Sequence, residues 1–276
     1  MPLHGKKLVW AINGVCALSI FFFGYDQGMM GGVNGAPDYI ETMGLGFVTP
    51  STSGGKVSAT VTNPTKQGGI VAAYYLGTLI GCLLGGWIGD KLGRKKTIWI
   101  GSLWIILGAP LQAAAQNVAW MVMARIITGV GTGHLNAIVP VWSAETSGHM
   151  SRGFFIALEF TLNIFGVVVA YWLEYGLSFI GDGNTQIRWR FPIAFQLVPL
   201  IGLCISTFFM PESPRWLLKA GRHEEARTIL GRLWSEDGEL NAEALAEYHE
   251  IEQTIALDGA EEPSYLTMLF LPCGKL

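Results

Sequence analysis

Six long apolar stretches constrain the fold of this chain more than any other feature of its sequence. A helix needs about 20 mostly apolar residues to cross roughly 30 Å of hydrocarbon, and each stretch has about that length. Only 14% of the 276 residues are charged, and most of these lie between the stretches or in the last quarter of the chain. We therefore predict an all-α membrane protein. The predicted spans are at about 8–30, 68–89, 97–115, 118–142, 153–175 and 191–210.

Several other classes of protein are disfavoured by the residue patterns. The first apolar stretch is too long for a cleaved secretory signal and contains Gly24, Tyr25 and Asp26, so we interpret it as a retained span. The four cysteines form no CxxC pair, which predicts neither a disulfide nor a metal site. No catalytic set of side chains and no basic patch with interleaved aromatics is visible. We therefore predict no enzyme activity, no cofactor and no nucleic-acid partner.

Lysine and arginine are unequally divided between the two sides of the predicted membrane. With six spans, 13 of them fall on the side that holds both chain ends and four on the other side. Because cytoplasmic loops carry the excess of basic residues, we predict that both ends are cytoplasmic and that 34–67 is an external loop. The charged, periodic segment from 214 to about 257 predicts cytoplasmic helices, and the apolar run 265–271 is too short for a seventh span. The predicted units are therefore 1–213 and 214–276.

The run GGWIGDKLGRKK, residues 85–96, lies at the predicted cytoplasmic turn between spans 2 and 3. Asp90 and Arg94 stand four residues apart around a glycine, so their carboxylate and guanidinium can meet across a tight reversal. A basic turn that only sets the topology is the simpler explanation. The run nevertheless closely resembles the cytoplasmic loop signature of the major facilitator superfamily.

Three further runs narrow this resemblance to the sugar porters. They are FGYDQGMMGG at 23–32, RIITGVGTG at 125–133 continuing to PVWSAE at 140–145, and PESPRWL at 211–217. All resemble sugar-porter signatures, the first in its fungal form, and they follow one another in the expected order. The chain is thus identified as resembling the N-terminal half of a fungal-type sugar porter. The resemblance implies a first bundle of six transmembrane helices followed by cytoplasmic helices, truncated before a second bundle that is the expected partner.

The family resemblance implies transport of a sugar by alternating access. The substrate class is a monosaccharide or a related polyol or oligosaccharide, with a proton as a candidate co-substrate and the lipid bilayer, by family default the plasma membrane, as the surroundings. Two alternatives remain open. The chain fits a sugar sensor that signals through its cytoplasmic segment, and it fits a half-transporter without independent activity.

Three candidates for charges inside the membrane are Asp26, Arg125 and Glu159, each more than three residues from the ends of its predicted span. A charge at the bilayer centre costs roughly 2.5–3.5 kcal/mol on insertion scales, so each one needs a partner or a function. Spans 1 and 4 hold equivalent places in the two three-helix repeats of such a bundle, which predicts that Asp26 faces Arg125. The pair fits a static salt bridge, and it also fits the family's proton-coupling pair, in which the aspartate binds the proton and the arginine controls it.

Span 5 departs from the family pattern. Sugar porters commonly carry a substrate-binding glutamine eight residues after the arginine that matches Arg152, and this chain has Phe160 there. Glu159, Asn163 and Gly166 form a polar strip on one face of the predicted helix. The strip fits hydrogen bonding to sugar hydroxyls and equally fits a contact with span 2 or 4. The substrate-pocket candidates are Phe23, Glu159, Phe160 and Asn163.

A second group of charged residues lies at the predicted cytoplasmic ends of the helices. A solvated charge cluster is the simpler explanation. In the family, however, the matching residues form salt bridges that latch the two bundles when the carrier faces outward. The predicted gate residues are Asp90, Arg94, Glu145, Arg152, Glu212 and Arg215.

Overall fold

The computed structural model describes residues 3–49, 57–148, 152–180, 184–235 and 237–258. In these ranges the chain forms eleven helices and one antiparallel hairpin. The elements are α1 (Gly5–Val33), α2 (Pro37–Thr42), β1 (Gly46–Thr49), β2 (Ser58–Val61), α3 (Pro64–Leu92), α4 (Arg94–Ala113), α5 (Val118–Thr146), α6 (Arg152–Leu177), α7 (Ile187–Phe195), α8 (Leu197–Phe209), α9 (Pro214–Lys219), α10 (His223–Trp234) and α11 (Ala242–Asp258).

Five stretches of the described chain are helical, long and apolar enough to cross a membrane. They are Gly5–Val33, Pro64–Leu92, Val118–Thr146, Gly153–Leu177 and Ile187–Phe209. Many apolar side chains on these helices are exposed, as on α3, where Leu79 is 59% and Leu83 is 71% exposed. Such a surface suits lipid rather than water, because lipid tails solvate apolar side chains and leave the backbone to bond within its own helix. The predicted class, a helical membrane protein, is confirmed.

The third predicted span, 97–115, coincides with α4, which is shorter and less apolar than the other five stretches. α4 has 20 residues, begins with Arg94, Lys95 and Lys96 and contains Gln112 near its end. Leu103 and Leu107 are 56% and 60% exposed in its middle, as on the lipid-suited helices. The count of six spans therefore stays a prediction that depends on α4.

The sixth predicted span is divided at Gln196 into α7 and α8. Pro199 has no backbone N–H to donate to Phe195, and its ring crowds that carbonyl group. Gln196 keeps right-handed helical angles, so the apolar stretch continues through the break without reversing.

The predicted external loop contains structure that the sequence analysis missed. β1 pairs with β2 in an antiparallel register that places Phe47 opposite Thr60, and α2 lies just before β1. We call the end of the bundle with α2, β1 and β2 the hairpin end. A buried apolar cluster there joins residues of α1, α2 and α7, among them Met29, Tyr39 and Trp189.

Two seams of glycine let pairs of long helices pack at backbone distance. On α3, Gly77, Gly81 and Gly85 recur every four residues against the backbone of α5, and a Cβ at Gly85 would lie 2.8 Å from the Cα of His134. On α1, Gly24 similarly lies against the backbone oxygen of Asn163 in α6. Small residues at four-residue spacing are the usual means of close helix packing in membranes. The seams therefore set which helices are neighbours around the site.

The chain divides into two compact units, 9–212 and 213–276 with 1–8. Within the described part of the second unit, α9, α10 and α11 enclose a small apolar core that includes Trp216, Leu230 and Tyr248. The short apolar run 265–271 lies outside the described residues.

Candidate functional site

A buried ion pair joins α1 to α5 inside the bundle. The Nη1 atom of Arg125 donates to Oδ1 of Asp26 at 3.4 Å, and the two side chains are 1% and 0% exposed. The two residues are 99 positions apart in the chain and meet because both helices pass through the same buried layer. Two charges removed from water in this way stabilise one another only if they stay close.

The aromatic ring of Tyr74 on α3 forms one wall of the ion pair. The guanidinium carbon of Arg125 lies 4.4 Å from the centre of this fully buried ring, within the range of cation–π attraction. Two atoms of the pair, Oδ2 of Asp26 and Nε of Arg125, have no hydrogen-bond partner among the described residues. Oδ2 is thus the carboxylate oxygen that Arg125 does not use, and the hydroxyl of Tyr74 lies near the same carboxylate.

The hairpin end closes over this layer. Nε1 of Trp189 donates to Asp38 at 2.7 Å, and the hydroxyl of Tyr25 donates to the carbonyl of Pro192 at 2.9 Å. Tyr39 packs edge-on against Trp189 with ring centres 5.5 Å apart. Burial raises the pKa of Tyr39 to about 12. These contacts tie α1 and α2 to α7 at the hairpin end.

Glu174 on α6 is a further buried carboxylate, which the sequence analysis overlooked because it lies at the end of a predicted span. It is 6% exposed, and Oε1 accepts from the backbone N–H of Val33 at 3.1 Å. Gly32 leaves room for the carboxylate, since a Cβ there would collide with it. The sequence feature that could have identified Glu174 is its acidic side chain next to the end of a predicted span.

The polar strip of span 5 faces other helices. Asn163 donates to the carbonyl of Ile20 in α1 at 3.4 Å, and Gly166 fits against the backbone of Phe21. Glu159 is 3% exposed and lies beside the hydroxyl of Ser143 in α5. The strip therefore makes helix contacts to α1 as well as to α5, whereas only spans 2 and 4 were considered as its neighbours.

The other two pocket candidates differ in exposure. Phe160 on α6 is 69% exposed, and Phe23 on α1 is half-buried. The structure does not gather the four candidates around one cavity within the described residues.

Asn13 links α1 to the far end of α5 in a buried cluster that the sequence analysis also missed. Its Oδ1 accepts from Ser143 at 2.6 Å, and its Nδ2 donates to Ser147 at 3.1 Å. An asparagine in the middle of an apolar stretch was the available signal. The cluster holds α1 and α5 together at the opposite end from the hairpin.

Four predicted gate residues meet at that opposite end, which we call the Arg94 end. Arg94 donates from Nε and Nη2 to both oxygens of Glu145, at 2.9 and 2.7 Å, and from Nη1 to Asp90 at 3.2 Å. Glu212 accepts from the backbone N–H of Arg94 at 3.0 Å and of Lys95 at 3.2 Å. A two-point guanidinium–carboxylate pair is strong and directional, and a carboxylate at a helix N-terminus is favoured by the helix dipole.

The tight turn before α4 makes this arrangement possible. Gly93 has φ of 99°, a backbone conformation that side-chain-bearing residues rarely adopt. Arg94 therefore begins a new helix directly after α3 ends, within reach of Asp90. Of the other two gate candidates, the side chain of Arg152 lies outside the described part, and Arg215 belongs to the second compact unit.

Sequence comparison finds transporters. A family model described as "Sugar (and other) transporter" matches residues 12–271. The MFS-type transporter oryC of Aspergillus oryzae is 41% identical over 231 residues, and the sugar transporter STL1 of Saccharomyces cerevisiae is 35% identical over 236 residues. Each match covers 84% of this chain but 40% of the relative. The chain thus spans less than half the length of these two curated relatives.

Structure comparison finds the same fold in solved transporters. The proton:xylose symporter XylE, bound to 6-bromo-6-deoxy-D-glucose, has a TM-score of 0.77 and 24% identity, over 92% of this chain and 55% of XylE. A partially occluded, inward-open conformation of XylE from E. coli has a TM-score of 0.74 at 24% identity, over 91% of this chain and 58% of XylE. At this identity the likeness establishes the fold.

The resemblance predicted from the four sequence runs is confirmed by both comparisons. A match over residues 12–271 extends through most of the 276 residues and covers the long helices apart from the first seven residues of α1. The chain therefore belongs to the sugar (and other) transporter family.

Proposed function

We propose that this chain forms the N-terminal half of a carrier that moves a neutral sugar or polyol across a membrane by alternating access, coupled to a proton. The observation that carries the coupling is the Asp26–Arg125 pair, buried at 3.4 Å with Oδ2 of Asp26 unpartnered among the described residues. A second six-helix bundle would supply the other wall of the sugar site. Family membership and the extent of the matches support this proposal.

Asp26 is the proposed proton site, and Arg125 is its control. A change in the distance between a buried carboxylate and a guanidinium changes the affinity of the carboxylate for a proton. If α1 and α5 shift against one another between the outward-facing and inward-facing states, the proton is bound in one state and released in the other. The unpartnered oxygen provides the place for it.

The Arg94 end is the proposed cytoplasmic gate. Its bonds among Asp90, Arg94, Glu145 and Glu212 hold α3, α4, α5 and the segment that follows α8 in one arrangement. In a complete carrier, opening of this end towards the cytoplasm requires these charges to exchange partners. We place both described ends of the chain in the cytoplasm, propose the plasma membrane as its location, and propose that it catalyses no covalent reaction.

Transport by a completed carrier tests the proposal. We would fuse this chain to the second bundle of oryC, reconstitute it in liposomes, and record uptake of radiolabelled sugars together with proton uptake by a pH-sensitive dye. The fusion is expected to take up sugar with protons. Asp26→Asn is expected to keep sugar exchange but to abolish proton uptake, because an amide cannot carry the proton.

Two outcomes would contradict parts of the proposal. Unchanged sugar-driven proton uptake by Asp26→Asn would remove the coupling role and leave a static salt bridge. Sugar uptake by the 276-residue chain as a strict monomer would show that no second bundle is needed.

A further inference from the structure

A polar pair lies on the exposed surface between α1 and α3. Nε2 of Gln27 donates to the hydroxyl of Tyr75 at 3.0 Å, and both side chains are exposed, Tyr75 by 46%. Each residue directly follows a member of the buried layer, since Gln27 follows Asp26 and Tyr75 follows Tyr74. The pair thus lies at nearly the same depth as the ion pair, about 100° further around each helix.

The polarity of this pair is unusual for its place in the helices. Tyr75 lies three turns into α3, and Gln27 lies within the apolar stretch of α1. A carboxamide exposed to lipid at such a depth is costly, so polar groups in spans face the bundle interior or a water-filled cavity. Because Gln27 does not face the bundle interior, its surface fits the wall of a cavity rather than a lipid contact.

The pair retains unused hydrogen-bonding capacity. A carboxamide has two N–H donors and an acceptor oxygen, and in the described structure one of these donors is used, on Tyr75. The phenolic hydrogen of Tyr75 is also available, since its oxygen is the acceptor in this bond. The pair therefore presents a donor and an acceptor side by side, which matches a hydroxyl group that both donates and accepts.

The surrounding positions limit the charge of a ligand. One turn from Gln27 on α1 are Phe23 and Gly31, and one turn from Tyr75 on α3 are Val71 and Leu79. None is charged, so neither a carboxylate nor a phosphate finds a counter-charge there. An aromatic ring one turn from hydrogen-bonding groups is the composition that small-molecule sites use for ligands with an apolar face.

We propose that Gln27 and Tyr75 bind hydroxyl groups of a neutral polyhydroxylated substrate, with Phe23 packing against its carbon skeleton. The proposal rests on the proposed transport function and names a substrate-contacting pair for it. It assigns selection of the hydroxyl pattern to α1 and α3, whereas the strip on α6 makes contacts between helices.

Ligand binding by the chain itself tests the pair. The purified 276-residue chain in lipid nanodiscs would be titrated with D-glucose, D-xylose, sorbitol and a series of monodeoxyglucoses, with Kd values from saturation-transfer NMR. Gln27→Met, which keeps the side-chain length, and Tyr75→Phe are each expected to weaken binding by about three- to tenfold. Tyr175→Phe is the matched control, since Tyr175 is an exposed tyrosine on α6.

The deoxy series separates a contact from a folding effect. One monodeoxyglucose, which lacks the hydroxyl bound by the pair, is expected to bind equally to the unaltered chain and to Gln27→Met. The proposed pair would be refuted if Gln27→Met and Tyr75→Phe weakened the binding of every ligand equally, or if they bound the ligands as tightly as Tyr175→Phe does. Either outcome would leave the transport proposal standing. Failure of the unaltered chain to bind any of these ligands would refute the pair alone, since the transport proposal is tested separately by uptake through the fused carrier.

Discussion

At the scale of single residues, two arginines are bonded in contrasting ways. Arg94 uses Nε, Nη1 and Nη2 in bonds to Glu145, Asp90 and the carbonyl of Gly89. Among the described residues, Arg125 donates to Asp26 across 3.4 Å and leaves its Nε unpartnered. A buried pair that served only stability would gain from fuller bonding. This contrast supports a changing role for Asp26 and a holding role for Arg94.

Tyr39 provides a prediction about alkaline stability. Burial raises its pKa from the usual 10 to about 12, so between these pH values the unfolded chain ionises Tyr39 and the folded chain does not. The stability is complete below pH 10 and is lost as the pH rises towards 12, by about 3 kcal/mol from this group. Tyr39→Phe is expected to remove this part of the alkaline loss, measured by chemical unfolding in detergent from pH 8 to 12.

Tyr25 serves as a comparison for Tyr39, because its hydroxyl makes a hydrogen bond and that of Tyr39 does not within the described residues. The hydroxyl of Tyr39 has no partner among the described residues, so Tyr39→Phe is expected to be neutral or slightly stabilising at pH 8. Tyr25→Phe removes the bond to Pro192 and is expected to cost about 1 kcal/mol. Equal losses for the two variants at pH 8 would contradict the assignment.

At the scale of elements, the glycine seams decide how the long helices approach. α3 and α5 touch along Gly77, Gly81 and Gly85, and α1 and α6 touch at Gly24. This close approach brings Tyr74 of α3 under Arg125 of α5. The geometry of the ion pair thus depends on residues that have no side chains.

Alanine substitutions at two glycines of α3 test the seam. A Cβ at Gly81 would lie 2.8 Å from the Cα of Val130, whereas at Gly86 it meets nothing within 4 Å. Gly81→Ala is expected to destabilise the bundle by about 1–3 kcal/mol through forced separation of α3 and α5. Gly86→Ala is expected to stabilise it by about 0.5–1 kcal/mol through helix propensity. Thermal unfolding in detergent measures both, and a gain for both variants would show that the seam tolerates a side chain.

At the scale of the whole molecule, the chain combines a membrane unit with a helical unit of charged sequence. The exposed apolar surfaces of residues 9–212 require lipid, while α10 carries acidic residues in its first turn and a basic one in its last turn, as a helix in water does. The distribution of lysine and arginine predicts that this second unit and the Arg94 end are cytoplasmic and that the hairpin end is external.

Cysteine labelling tests this orientation. In a variant with the four native cysteines replaced by serine, Phe47→Cys on β1 and Leu257→Cys on α11 each place a thiol at a side chain that is 59% or 74% exposed. A membrane-impermeant maleimide added to intact cells is expected to label Cys at 47 but to label Cys at 257 only after permeabilisation. The reverse pattern would invert the topology and move the proposed gate outside.

The sequence by itself determined the helices, the family and the candidate charges. In lipid a backbone must satisfy its own hydrogen bonds, so a long apolar stretch has little choice but to become a helix. The same reasoning marked Asp26 and Arg125, since a charge in such a stretch needs a partner. This reasoning did not predict the hairpin in the external loop. The loop is polar and rich in glycine, and its sequence shows no clear alternation of apolar and polar residues that would indicate strands.

Only the tertiary structure decided which of these residues meet. Tyr74 lies under Arg125, Glu174 accepts from the end of α1, and Asn163 donates to Ile20. These contacts form because the glycine seams determine which helices are neighbours and how each is rotated about its axis. These contacts join residues 51 to 143 positions apart, and a helical period cannot encode them, since it specifies a face but not the helix that covers it. The exposed Gln27–Tyr75 pair belongs to the same group: each residue was visible in the sequence, and their bond was not.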